Sequence, residues 1–566
     1  MGDRSTELAG PLRIVIGPML RYVDETSATI FVETSARCVV EICGRTASTF
    51  EVGGHHFALV MLEGLAPGSV SSYEVRLDGA LEWPPEGSDF PASVIRTLVP
   101  GQTVRLLFGS CRAAGPHEPP WSLSQTEHPL GHGVDSLRAH GLRMMKESPA
   151  TWPDLLLLLG DQVYADAPSP LTKARMRFRP RSDTTPPDIV SGFEEYTRLY
   201  HESWQPDVER WVFSVVPSAM IFDDHDMIDD WNISASWVRE IRALPWWQEH
   251  VLGALTSYWI YQHLGNLSPA EIRAEGLLEE IASAGNDGNA VLRAWAMESE
   301  RLTPVEGGYR FSFVRDLGRT RLVVIDCRNG RVLEPGRAMI GREEWAWVGE
   351  QCRVEIDHLL LATSLPVMVL GGLHPLQIWN EALCDGRWGS WVAKVSERLR
   401  RRIDLEDWPA FHRSFDEMMD LLCEVATGTG ASTEVPPPAM VAVLSGDIHF
   451  SYVATVELPA ATAVASTPSR VYQIVSSPIR NSLKQRDRHI MRFAISRVGL
   501  LIGKVMAASI GASKPRVSWS LTHGPTFANE MAQLTIEGRC VQLLIERARP
   551  DDEGHAILEE VVSTAL

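Results

Sequence analysis

Leu155–Asp166 reads LLLLLGDQVYAD. Five leucines run unbroken into Gly160, Asp161 follows, and Tyr164 and Asp166 come soon after. A continuous apolar run of this length is the pattern of a strand buried on both faces. Open α/β sheets place their ligands just beyond the carboxyl ends of such strands. Asp161 stands where that fold presents a metal ligand. Tyr164 can return to the same point through a tight turn.

Three other stretches repeat the pattern. Arg105–Arg112 is RLLFGSCR, an apolar run ending in Gly109, Ser110 and Cys111. Ser218–Trp231 is SAMIFDDHDMIDDW, which delivers Asp223, Asp224, His225 and Asp226. Val441–Tyr452 is VAVLSGDIHFSY, which delivers Asp447 and His449. A single Asp after a strand is more often a helix cap or a turn residue. Four strand ends supplying Cys, Asp, Tyr and two Asp/His groups are not explained by turn chemistry alone.

Composition narrows the class. A chain of 566 residues exceeds one compact core and implies two or more domains or large insertions. It is 45% hydrophobic and 22% charged, ordinary for a globular protein. A formal net charge of −19 argues against long-range attraction of nucleic acid or of an anionic membrane. An anionic substrate would need local cations. The eight cysteines are scattered, with no CxxC pair. The opening MGDRSTELAGPL has neither an apolar core nor twin arginines, so the expectation is a cytoplasmic protein with reduced thiols.

Along the chain, residues 12–98 alternate like short β-strands broken by Gly, Pro, Asp and Ser, which predicts a β-sandwich of fibronectin or immunoglobulin type. His55-His56 reads as an exposed loop pair. From residue 101 apolar strands alternate with helical stretches. The domain reading is 1–100 for the sandwich and 101–566 for an α/β catalytic domain, with helical insertions near 232–305 and 374–435. The first insertion is rich in aromatics, including Trp246, Trp247, Trp259 and Tyr261, more often core than ligand surface, though it could roof a site. Residues 167–190 read as a surface loop, and His358–Leu370 as strand, loop and strand. Residues 489–511 are strongly apolar but carry Arg492, Arg497 and Lys504, which speaks against a membrane span. A buried or partly exposed helix is the first reading there, an interfacial helix the second. EMAQLTIEG and CVQLLIERA predict a terminal hairpin.

Hard cations want carboxylate oxygens, and a ferric ion also accepts phenolate, thiolate and imidazole. The ordered set GSC, GDQVYAD, DDHD and GDIHFSY resembles the PhoD-like alkaline phosphatase/phosphodiesterase family of calcineurin-like metallophosphoesterases. HGPTFANEMAQLTIEG near the end resembles that family's closing segment. The resemblance implies a β-sandwich followed by a four-layer α/β/β/α domain, and hydrolysis of a small phosphate ester by a metal-bound hydroxide at a dinuclear site. Monoester and diester stay open.

By the same resemblance, Cys111, Asp161, Tyr164 and His449 would hold a ferric ion. Asp161 as bridge, with Asp224 and Asp447, would hold calcium or another divalent ion, with Asp223 the fallback for Asp224. Mn, Mg or Zn could replace either metal. His225 would contact phosphate or protonate the leaving group. Arg112 would neutralise a phosphate oxygen, and Arg480 and Asn481 are weaker candidates for substrate contact. The alternatives are a phospholipase-D-like diesterase, or a non-catalytic metal-binding scaffold on the same fold.

Overall fold

The computed structural model describes residues 11–177, 185–285, 288–303, 305–334, 336–428, 436–459, 468–512 and 515–566. The first ten residues, the middle of the 167–190 segment and most of the Gly/Thr/Pro-rich stretch before Val441 lie outside those described.

Leu155–Leu159 is a strand with every residue buried. It pairs in parallel with Val104–Gly109 on one side and Ser218–Ile221 on the other. The sheet continues antiparallel through Glu530–Glu537, Cys540–Pro550 and Ala556–Ala565. The predicted terminal hairpin is thus present, with one further strand beyond it. A second, seven-stranded sheet has four parallel strands at its centre, Thr320–Ile325, His358–Thr363, Met440–Ser445 and Arg470–Val475. Leucines and valines of both sheets share one hydrophobic core. Helices cover the outer faces, giving the expected α/β/β/α layers.

Before this, strands between Ile14 and Arg96 form two four-stranded sheets and a two-stranded ribbon, the predicted sandwich. Ile30, Val40, Val60 and Val75 are fully or almost fully buried between them. The aromatic insertion is core rather than roof: Trp246, Trp247, Trp259 and Tyr261 are all buried. Trp259–His263 makes one π-helical turn. Such turns widen the backbone and often mark functional positions. Here the carbonyls of Tyr261 and Gln262 accept from the buried guanidinium of Arg21, on the first strand of the sandwich, at 2.5 and 2.6 Å.

Several local expectations are corrected. His55 and His56 open the strand His55–Glu63 and are half-buried, because Glu33 and Glu194 bracket the His55 ring at 2.9 Å each. Residues 167–190 contain the short helix Pro170–Met176. After the strand His358–Thr363, the stretch to Leu370 is buried loop, not strand; Gln473 Oε1 accepts from Val367 and Met368 in place of a ladder partner. The apolar stretch near 489–511 forms two helices, Gln485–Ala494 and Arg497–Ser509, whose large side chains are mostly exposed. No helix among the described residues is long and apolar enough to cross a membrane.

The sandwich is fastened to the rest by Glu33. Its carboxylate, 1% exposed, accepts from His201 at 3.0 Å and from the Tyr261 hydroxyl at 2.7 Å, besides pairing with His55. Burial pushes the Glu33 pKa up, but hydrogen bonds from His201 and His55 outweigh it and hold it at about 2. Burial lowers that of His55, while Glu33 and Glu194 together raise it above 6.5. The Glu33 contribution is complete above its ordinary value near 4.5 and lost as pH falls toward 2. The His55 contribution is complete below 6.5 and lost as pH rises past its raised value. Thermal melts of wild type and Glu33→Gln are therefore expected to differ most between about pH 4.5 and 6.5, by about 3 kcal/mol, to converge as pH falls toward 2, and to draw only partly together as pH rises past the raised His55 value.

Candidate metal centre

Strand ends of the two sheets meet at one place. Gly446, after Met440–Ser445, packs so closely on Ser110 that a Cβ would lie 2.1 Å from the serine Oγ. Ser110 Oγ then accepts from the Asp447 N–H at 3.0 Å. Gly160 is equally constrained: its φ is +101° and a Cβ would lie 2.5 Å from the Asp223 Cβ. These contacts bring Cys111, Asp161, Asp223, Asp224, Asp447 and His449 together.

Four of these side chains sit on left-handed backbone. Cys111, Asp161, Asp447 and His449 have φ of 58°, 51°, 62° and 55°. Non-glycine residues avoid that region at a cost of order 1 kcal/mol each, and where they persist they often serve function. Here the left-handed turn directly follows a buried strand and aims the side chain across the sheet ends.

Ligand-type atoms form three overlapping groups, each within 4.8 Å: Cys111 with Asp161 and His449; Asp161 with Asp224 and His225; and Asp223 with Asp224 and Asp447. Asp161 links the first two groups and Asp224 the last two. The Tyr164 hydroxyl lies 3.4 Å from Asp161 Oδ2 and accepts from Asn481 Nδ2 at 2.9 Å. His225 stacks near Tyr164, ring centroids 4.9 Å apart, and its Nδ1 meets Asp166 at 2.9 Å. Cys111, Asp161 and Asp223 are sealed from solvent, whereas His225, Asp447 and His449 are half-buried and line the open side.

The electrostatics describe a site short of positive charge. Burial pushes the Asp161 carboxyl well above its usual range, with Asp223 and Asp224 adding to it despite His225. Asp447 is raised for the same reasons. Burial, then Asp161 and Asp447, raise the Cys111 thiol; burial, then Asp161 and Cys111, raise the Tyr164 phenol. Burial and His225 hold His449 down at about 4, so its imidazole is neutral at pH 7. Among the described residues, Asp161 Oδ1 and Asp223 Oδ2 are buried without a hydrogen-bond partner. Orphaned buried oxygens beside a thiol, a phenol and a neutral imidazole are the donor set a ferric or similar cation takes. The residues therefore fit the implied metals.

Two groups manage the remaining charge. Asp226 accepts from the backbone N–H groups of Asp161, Gln162, Val163 and Asp223 at 2.9–3.2 Å, and from Gln262 Nε2, on the π-helical turn, at 3.1 Å. It ties the ends of two strands into one loop. Arg328, fully buried, bonds Asp223 through Nε; its other nitrogens lie 3.2 Å from Asp224 and 2.5 Å from Glu406. Burial works against its charge, but Asp223, Asp224 and Glu406 hold it protonated. Neither role was foreseen. Arg328 follows a buried strand as the ligands do, which was a signal; Glu406 gave none.

The expected roles of two arginines are corrected. Arg112 is 1% exposed; it donates to Asp135 at 2.9 Å, to Glu209 at 3.0 Å and to the Ser203 carbonyl at 2.8 Å. Arg480 donates to the carbonyls of Gly133, Gly115 and Pro116. Both guanidiniums are saturated by the protein, so they brace loops rather than meet phosphate. What touches the site beside Arg480 is the neighbouring Asn481.

Removing a buried partner costs more than the pair contributes. Arg328→Ala is expected to lower stability by about 3–5 kcal/mol in chemical denaturation. Arg328→Lys should recover only part, since one ammonium cannot reproduce the guanidinium fork.

A model of a domain of unknown function, DUF7800, matches residues 12–95, the sandwich. No curated protein matches the sequence. Among solved structures, that of PhoD aligns with a TM-score of 0.57 at 13% identity, covering 100% of this chain and 91% of the other. A purple acid phosphatase, PPD1, from yellow lupin (Lupinus luteus) seeds aligns with a TM-score of 0.46 at 11% identity, covering 97% and 73%. With its sandwich, its two stacked sheets and its strand-end site, the chain has the fold of PhoD.

Proposed function

We propose that this protein hydrolyses phosphate esters at a metal centre built on Asp161. Residues 1–100 act as a supporting domain and 101–566 as the catalytic one. Cys111, Asp161, Tyr164 and His449 would hold one cation, of ferric type; Asp161, Asp224 and Asp447 would hold a second, of calcium type. Bound cations supply a nucleophile at neutral pH and neutralise charge on the phosphoryl oxygens. The observation that carries the reading is the convergence on Asp161 of thiol, imidazole, phenol and carboxylates from the ends of both sheets.

Asp224 is preferred to Asp223 as ligand. Asp224 belongs to two of the three ligand groups and Asp223 to one; Asp223 Oδ1 is taken by Arg328 and the N–H of Asp224, which leaves only its Oδ2 and makes it the fallback. His225 acts on the leaving oxygen. Burial opposes its charge, but Asp166 and Asp224 raise its pKa well above 6.5, so it carries a proton at neutral pH. A protonated imidazole on the open side donates to an alkoxide as the ester bond breaks. Asp166 fixes the ring through Nδ1.

Arg328 favours a second reading of the metal count. Its Nη2 lies 3.2 Å from Asp224 Oδ1, so a resident guanidinium already serves part of the second cation's electrostatic role. In that reading one metal suffices.

Elemental analysis decides between two equivalents and one. Iron with a visible absorption band that Tyr164→Phe removes is the expected result for the first position. Asp161→Asn should lower kcat/KM on aryl phosphate monoesters and diesters by about a thousandfold or more, equivalent to at least ~4 kcal/mol of transition-state stabilisation. His225→Ala should lower kcat by about 10²–10⁴-fold, most for esters with poor leaving groups. A protein that binds no iron, manganese, calcium or magnesium and shows no esterase activity would be the scaffold instead.

A further inference from the structure

The helical pair Gln485–Ala494 and Arg497–Ser509 is amphipathic in the inverted sense. In the second helix Val498, Leu501, Ile502 and Val505 follow the i, i+3, i+4, i+7 spacing of one face. That face normally points to the core. Here these residues are 46–63% exposed, and the buried positions are Gly499 and Gly503. The glycines let the helix lie tightly on the preceding layer. A Cβ at Gly503 would lie 2.5 Å from Pro375 Cγ, and one at Gly372 would lie 2.3 Å from the Gly499 carbonyl oxygen. The helix is thus packed through its small residues and turns its large ones outward. Ile490 and Phe493 of the first helix, 50% and 56% exposed, do the same. That helix buries none of its residues.

The flanks of this face are basic. Residues 484–504 contain Lys484, Arg486, Arg488, Arg492, Arg497 and Lys504 against a single acid, Asp487. In a chain of formal net charge −19 this is a local reversal of sign. Contiguous exposed apolar residues mark an interaction surface. An apolar face flanked by Lys and Arg, on helices too short to span a bilayer, is the pattern of a helix lying in a lipid–water interface. Cationic side chains at such a surface are attracted to anionic headgroups.

We infer that this helical pair docks the protein on an anionic phospholipid surface. The apolar residues enter the headgroup–acyl boundary and the arginines and lysines meet phosphate and carboxylate headgroups. Docking would set the strand-end carboxylate cluster beside the lipid, because the helical pair begins four residues after Asn481, whose side chain meets Tyr164. The inference does not depend on the phosphoesterase reading.

Co-sedimentation of the full-length protein with vesicles of phosphatidylcholine, alone or mixed with phosphatidylserine, tests it. Binding to the mixed vesicles and weak binding to phosphatidylcholine alone are expected, with loss of binding as salt rises. Leu501→Glu with Val505→Glu should weaken binding about tenfold or more, and Arg497→Glu with Lys504→Glu should do likewise. All four positions are exposed, so the thermal midpoint should stay unchanged, which separates lost docking from lost folding. No binding to mixed vesicles overturns the proposal. So does equal binding of wild type and both double variants. Concentration-dependent dimerisation in lipid-free buffer that Leu501→Glu abolishes would assign the face to a second copy of the chain, and overturns it as well.

Discussion

Negative charge buried at the ends of the strands is the constraint around which this molecule is arranged. Asp161, Asp223, Asp224 and Asp226 are all nearly or wholly sealed, and half-buried Asp447 lies beside them. A buried carboxylate is tolerated only when paired, hydrogen-bonded or protonated. Asp226 is met by backbone N–H groups from two strand ends, and Asp223 and Asp224 by Arg328. Asp161 and Asp447 receive no comparable protein partner, and burial with the neighbouring carboxylates raises them well above the usual range; burial raises Asp223 and Asp226 as well, Asp226 to about 7, despite their partners. The protein has thus answered part of its own charge and left the remainder, at Asp161, for something positive from outside. A bound cation would invert the pKa pattern there, returning carboxylates, thiol and phenol to their ionised forms.

The same constraint reaches far into the fold. Asp226 holds its place partly through Gln262, which depends on the π-helical turn whose carbonyls are taken by Arg21 of the sandwich. A substitution in the sandwich can therefore reach the metal site through the backbone of the insertion. Glu33 reinforces that route by binding Tyr261 of the same turn. The sandwich is a buttress for the α/β layers as well as a domain with its own core.

Much of this was legible from the chain, and the reason is local. A run of five leucines can only be a buried strand, and a Gly-Asp after it is visible without knowing the partners. The ligand types were readable because each follows a buried strand by two to five residues. What escaped depends on contacts distant in sequence. Arg112 stands next to Cys111, which suggested substrate contact, but Asp135 and Glu209 lie 23 and 97 residues away and claim its guanidinium. Glu406 meets Arg328 from a segment with no motif. His55 looked like a loop residue because nothing nearby shows that Glu33 and Glu194 converge on it. For residues 489–511 sequence periodicity supported a buried or partly exposed helix first and an interfacial helix second. It cannot say which side of an amphipathic helix the protein will use, and here the glycines decide.

How an anionic substrate approaches a chain of formal charge −19 is a question of range. At physiological salt, charges farther away than about 8 Å are largely screened, so net charge matters less than what lines the opening. Protonated His225 stands there. Arg328 adds a fixed positive charge just behind the carboxylates, where low dielectric preserves its field. The basic helical pair begins four residues beyond Asn481. Positive charge is therefore graded from the surface inward, from the exposed arginines and lysines to His225 and then Arg328. The local gradient, rather than the total, decides where a phosphate can settle.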